Sequence, residues 1–154
     1  MIAMENEPLE ILLADDDEDD RVFFKEALEE IKVKTIVNFF EDGLQLMNYL
    51  NQPDIRLPNI VFLDLNMPLK GGMDCLGEIR KNPRLKDLAI VIYSTSSTDE
   101  DIEEAFVNGA NIYIKKPNDF SVLKASLTQV INLNWQYHIL GFKKENFLFK
   151  INPV

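Results

Sequence analysis

Thirteen residues, Ile60-Val61-Phe62-Leu63-Asp64-Leu65-Asn66-Met67-Pro68-Leu69-Lys70-Gly71-Gly72, constrain this chain more than any other stretch. An unbroken apolar run that includes Val61 and Phe62 stops at one carboxylate, Asp64. A short apolar run bounded by turn signals reads as a strand buried on both faces. Pro68 and the Gly71-Gly72 pair forbid its continuation and demand a tightly turning loop. Asp64 therefore stands at the carboxyl end of a central strand. In open α/β sheets that edge is where ligands bind.

The rest of the chain alternates strand and helix around that run. Glu10 to Ala14 is a first apolar run, broken by six consecutive acids, Asp15 to Asp20. Phe24, Ala27, Leu28 and Ile31 then recur at helical spacing, with Lys25, Glu26, Glu29 and Glu30 on the opposite face. Asp17, Asp19 or Asp20 can cap that helix, and acids in its first turn suit its dipole. Thr35 to Phe39 is β-branched and aromatic, hence a second strand, and Asp42-Gly43 turns into a helix over Leu44 to Leu50. Beyond Gly72, Leu76 and Ile79, with Met73, line a third helix that Pro83 ends. Ala89 to Tyr93 is another buried strand, followed by the hydroxyl run Ser94 to Thr98. Thr98 or Asp99 caps a helix with Ile102, Ala105 and Phe106, which Gly109 closes. Ile112 to Ile114 is a fifth strand, and Phe120, Leu123, Leu127, Val130 and Ile131 mark a last helix. Five strands separated by five helices predict an α/β fold: a doubly wound, five-stranded parallel sheet covered on both faces.

Composition narrows the class of molecule. A chain of 154 residues suits one domain with a proper core. The net charge of -10 argues against nucleic acid as a direct ligand. Lone Cys75 cannot form an internal disulfide, which agrees with a reducing cytoplasm. No apolar run reaches membrane-spanning length, and Met1 to Pro8 lacks the pattern of a signal peptide. The expectation is a cytoplasmic protein with no membrane contact.

Four strands end in chemically useful residues: Asp15 with Asp16, Asp64, Ser94 and Lys116. In a parallel sheet those ends converge on one edge. Two carboxylates crowded there repel by roughly 4 kcal/mol at about 4 Å and an effective dielectric near 20. A hard divalent cation relieves that repulsion, and Mg²⁺ suits one or two carboxylates plus phosphate oxygens and waters. Lys116 supplies a fixed positive charge and Ser94 a hydroxyl donor. Such a pocket is built to hold a phosphoryl group on or near a carboxylate.

Taken together and in order, these residues carry a family resemblance. The acids after the first strand, Asp64-Leu65-Asn66-Met67-Pro68 with Gly72 behind it, Ser94-Thr95 and Lys116-Pro117 are each weak alone. As a set, over roughly Ile11 to Ile131, the chain resembles the receiver domains of two-component response regulators, which have the flavodoxin-like fold. The resemblance implies that Asp64 accepts a phosphoryl group from a phosphohistidine on a sensor histidine kinase or histidine phosphotransfer protein. It implies Mg²⁺ held by Asp16, by Asp15 directly or through water, by Asp64, and by the main-chain carbonyl of Asn66. Lys116 would pair with Asp64 and then the phosphate, while Ser94 bonds a phosphoryl oxygen. Tyr113 matches the aromatic switch position that works with Ser94, and Lys116-Pro117 the usual cis peptide. Two departures from the family pattern are Ala14, where a larger apolar residue is commoner, and Ser94, where threonine is more usual.

The implied protein is a stand-alone switch that signals to a downstream protein by contact and assists its own phosphorylation and dephosphorylation, rather than a classical enzyme. Such domains often form homodimers through their last helices. One alternative is a phosphatase of the haloacid-dehalogenase type. That class expects a second aspartate two residues beyond the nucleophile, where this chain has Asn66. A static interaction module is the other, disfavoured by retention of every pocket group. The spacing of Asp15, Asp17, Asp19 and Glu26 mimics a calcium loop, but Asp20 stands where glycine is required and a strand precedes the loop. Asp19 and Asp20 read as a solvated helix start, and Lys115 and His138 as surface residues. Ser96, Ser97 and Thr98 read as loop and cap residues, with Ser96 near enough to the pocket to affect water access.

The receiver domain is expected to span 1–133. Segment 134–154 carries Trp135, Tyr137, Phe142, Phe147 and Phe149, too many aromatics for a disordered tail. It is expected to pack on the domain or on a partner subunit.

Overall fold

The computed structural model describes residues 7–133. The expectations for segment 134–154, and for His138, lie outside the described residues. Ten elements alternate: β1 (Leu9–Ala14), α1 (Glu18–Glu29), β2 (Thr35–Phe40), α2 (Gly43–Leu50), β3 (Ile60–Leu63), α3 (Gly72–Lys81), β4 (Ala89–Ser94), α4 (Asp99–Val107), β5 (Ile112–Lys115) and α5 (Phe120–Ile131). All strand pairings are parallel, in the order β2-β1-β3-β4-β5. The chain reverses its direction of winding between β1 and β3, the kind of switch point beside which doubly wound sheets hold their ligands.

Side chains of a strand alternate between faces, so each central strand feeds two cores. Leu12, Val61, Leu63, Ile90 and Ile92 join Leu46, Leu50, Leu76 and Ile79 on the face covered by α2, α3 and α4. Ile11, Leu13, Ile60, Phe62 and Val91 join Phe24, Leu28, Leu123 and Leu127 on the face covered by α1 and α5. Burial on both sides is why β3 and β4 read as continuous apolar runs rather than alternating ones. Phe24, Phe62 and Tyr93 meet edge to face at centroid separations of 5.0 Å, 5.6 Å and 6.4 Å.

Most helices start on a side-chain cap. Asp17, Asp42, Thr98 and Asp119 accept the backbone N–H groups of Asp20, Gln45, Asp101 and Val122 at 3.0, 2.8, 3.2 and 3.0 Å. Helix α3 starts at Gly71 without such a cap. Its first residue, Gly72, lies so close to β3 that a Cβ there would sit 2.1 Å from the carbonyl oxygen of Asp64. Only glycine lets α3 begin directly behind the end of the central strand.

At its other end α3 presents Arg80, which is half-buried and pushed below the usual guanidinium pKa by desolvation. Its donors reach the carbonyls of Gly109 (2.9 Å), Lys86 (2.8 Å) and Leu88 (2.7 Å), and Oδ1 of Asn111 (2.9 Å). The turn after α4, where Gly109 has φ +97°, is thereby tied to α3.

Candidate functional site

Parallel register brings the strand ends to one edge. Ala14 pairs with Leu63 and Leu63 with Ile92, so Asp15 and Asp64 leave the sheet side by side. The Asp64 N–H donates to the Ala14 carbonyl at 3.0 Å, and the Lys116 N–H to the Ser94 carbonyl at 2.8 Å. Asp15 and Ser94 are fully buried, Asp64 nearly so, and Asp16 is exposed at the rim.

Lys116 is the centre of this arrangement. Its Nζ lies 2.7 Å from Asp15 Oδ2, 2.8 Å from Asp20 Oδ2 and 3.0 Å from Asp64 Oδ2, with only 7% of its side chain exposed. Burial alone would depress the ammonium pKa, but the attraction of the Asp15, Asp20 and Asp64 carboxylates outweighs it and the net direction is upward. The contact with Asp15 is one of charge rather than alignment, since no hydrogen bond of acceptable geometry reaches Asp15 Oδ2. Its partner oxygen Oδ1 accepts the Asp17 N–H at 3.0 Å. Desolvation pushes the Asp15 carboxyl up to about 6 despite the lysine beside it.

That orphaned buried oxygen tests whether a cation fits. Ligand atoms of Asp15, Asp16 and Asp64 lie within 4.8 Å of one another. Three carboxylates, one with an unsatisfied buried oxygen, form an all-oxygen donor set of the type hard divalent cations take. Asn66 is exposed and donates its N–H to Asp64 Oδ1 at 3.3 Å, which fixes the start of the loop that would offer its carbonyl. In that loop Leu69 is 80% exposed and has φ 66°, a left-handed conformation unusual for a branched side chain.

The β4 end holds a second group of residues. Ser94 Oγ accepts the Ser96 N–H at 3.3 Å. The Ser96 carbonyl accepts the Tyr113 hydroxyl at 2.7 Å, and Ser96 Oγ bonds Asp101 in the first turn of α4. Tyr113 is fully buried on β5, and desolvation raises its hydroxyl pKa. The aromatic ring therefore already fills the interior. Ser96, expected in the loop near the pocket, also links the pocket hydroxyl, the buried tyrosine and α4.

Two further expectations need correction. Asp20 is not a solvated helix-start acid: one turn of α1 beyond the Asp17 cap carries its carboxylate onto Lys116. The Lys116–Pro117 peptide is trans, not cis; proline narrows the preference for trans without reversing it. Lys115 is exposed, as expected. Above Lys116 an open cleft of about 520 Å³ is lined by Asp19, Asp20, Phe23, Thr95, Lys116 and Pro117, among others. No helix among the described residues is long and apolar enough to cross a membrane.

With this geometry in hand, the class is unambiguous: the chain belongs to the response regulator receiver domain family, whose model matches residues 11–128. It is a phosphorylation-activated signalling switch, not a classical enzyme. Among its relatives is the response regulator Rcp1 of Synechocystis, 32% identical over 122 residues, covering 77% of this chain and 83% of Rcp1. Chemotaxis protein CheY-3 of Vibrio cholerae is 32% identical over 130 residues, covering 84% of this chain and 97% of CheY-3. The crystal structure of the phosphorylated cyanobacterial phytochrome response regulator RcpA superposes with a TM-score of 0.75 at 30% identity, covering 89% of this chain and 97% of RcpA. The Mn²⁺-bound form of Rcp1 superposes with a TM-score of 0.73 at 30% identity, covering 80% of this chain and 91% of Rcp1.

Proposed function

We propose that Asp64 is the phospho-acceptor of this switch, with Asp15, Asp16, Asp64 and the Asn66 carbonyl as the ligands of Mg²⁺. The observation that carries this is the meeting of Lys116 Nζ with the carboxylates of Asp15 and Asp64 where Asp16 also offers a ligand oxygen. Mg²⁺ supplies positive charge to the carboxylates and to phosphoryl oxygens. Everything else falls to the chain's own side chains. An oxygen of Asp64 attacks the phosphorus of a phosphohistidine; the phosphorus–oxygen bond forms as the phosphorus–nitrogen bond breaks. The imidazole nitrogen leaves with the electron pair and takes a proton from solvent. Lys116 neutralises the anionic product, and Ser94 turns its O–H toward a phosphoryl oxygen.

The change at Asp64 reaches the surface through the Ser94–Ser96–Tyr113 group, a local change of charge biasing two packings of the α4–β5 face. The donor is a sensor histidine kinase or histidine phosphotransfer protein and the output a downstream protein bound by contact, in the cytoplasm. The manganese-bound and phosphorylated relatives support a divalent-ion-assisted acyl phosphate. The test is uptake of phosphate from acetyl phosphate by the full chain, read by intact mass. The parent takes up one phosphoryl group only with Mg²⁺, and Asp64→Asn takes up none. Equal uptake by Asp64→Asn would refute the assignment.

A further inference from the structure

We propose that Asp20 is a positioning residue of the phosphoryl pocket: it anchors Lys116 from the solvent side and competes with an incoming phosphoryl group for it. The inference deepens the function proposed above and rests on Asp64 as acceptor.

An ammonium has three protons, and Lys116 Nζ has three carboxylate neighbours, Asp15 at 2.7 Å, Asp20 at 2.8 Å and Asp64 at 3.0 Å. These neighbours are not equivalent. Asp15 and Asp64 belong to the carboxylate cluster a cation would neutralise. Asp20 lies outside that cluster, on α1, and its side chain is 36% exposed where that of Lys116 is 7%. Its hydrogen bond to Nζ is aligned, whereas the shorter contact to Asp15 is not. Asp20 also lines the open cleft beside Lys116, together with Asp19, Thr95, Lys115 and Pro117, and of these only Asp20 contacts the Lys116 ammonium.

Two consequences follow for a group transferred to Asp64. Lys116 arrives already oriented, because its outer donor is held by Asp20 and its inner one by Asp64. The same carboxylate repels an anionic donor in the cleft and must share the lysine with the phosphoryl oxygens. Asp20 thus raises the concentration of small anionic donor needed while keeping the lysine in register. A charge at a cleft wall acts on approach, and salt screens it.

The test measures the rate of phosphate uptake by the full chain against acetyl phosphate concentration, at constant saturating Mg²⁺ and at low and high ionic strength. Asp20→Asn keeps an acceptor for Nζ and removes the charge. Its half-saturating donor concentration should fall by about tenfold at low salt, a gap that closes as salt is added, with the limiting rate unchanged. Asp20→Ala should show the same lower half-saturation but a reduced limiting rate, because Lys116 loses its outer anchor. A parental half-saturation in Asp20→Asn at every salt concentration would overturn the competition. Identical limiting rates in the Asn and Ala variants would overturn the anchoring. Uptake by Asp64→Asn would instead refute the acceptor assignment, an outcome neither Asp20 variant produces.

Discussion

Replacing Asp15 by asparagine should make the metal-free protein more stable, and more so as pH rises. In the unfolded chain this carboxyl ionises near 3.8; in the fold, desolvation holds its proton until about 6. Between those values the native state binds a proton the unfolded state has released, so stability falls with rising pH. Above about pH 6 the full penalty is present. A displacement of this size corresponds to roughly 3 kcal/mol, with the attraction of Lys116 already included. Asp15→Asn imitates the neutral carboxyl, so at pH 8 it should gain up to about 3 kcal/mol over the parent. At pH 4 the gain should vanish. Urea denaturation at the two pH values, in EDTA, measures the difference between the two proteins and cancels contributions from other carboxylates. Mg²⁺ at about 100 times its dissociation constant should then stabilise the parent by roughly 2.7 kcal/mol and the variant far less. A gain that is equal at pH 4 and pH 8, or a variant no more stable at pH 8, would refute the desolvation argument.

Two further outcomes test the framework around the site. Gly72→Ala would bring a methyl group 2.1 Å from the Asp64 carbonyl, so a loss of roughly 2–4 kcal/mol in denaturant midpoint analysis is expected, with uptake on Asp64 impaired. Tyr113→Phe leaves the Ser96 carbonyl without its hydroxyl donor and should cost about 1 kcal/mol, read from the urea denaturation midpoint.

The contrast between Asp64 and Asp20 shows what was legible in the sequence. Asp64 ends an apolar run, and strand ends in a parallel sheet share one edge whatever their exact register. The same reasoning brings Asp15, Asp16, Ser94 and Lys116 to that edge, where the structure places them. Asp20 sits on a helix, where direction depends on phase, and phase is set by which of several adjacent aspartates caps it. Once Asp17 is the cap, the third helical residue turns toward the sheet edge. The spacing of Asp17 and Asp20, normally that of a reciprocal cap, was the available signal. Ser96 was placed beside the pocket, but its link to Tyr113 was not legible, because it is made by a main-chain carbonyl, which no side-chain pattern encodes.

The Arg80 clamp gives α4 a pivot. Helix α4 buries only Ala105 fully, with Ile102 and Phe106 packed in part against the core. Its trailing turn is nevertheless pinned, because Arg80 grips the Gly109 carbonyl and the neighbouring Asn111 side chain. Its leading turn is held by the Thr98 cap and by Ser96 against Asp101, on the loop that follows β4. A displacement of that loop meets little resistance at the near end of the helix and a rigid anchorage at the far end. The geometry therefore favours a swing of α4 about the Gly109 turn, in which a shift beside Ser94 is largest in the acidic first turn of the helix and dies away toward Gly109.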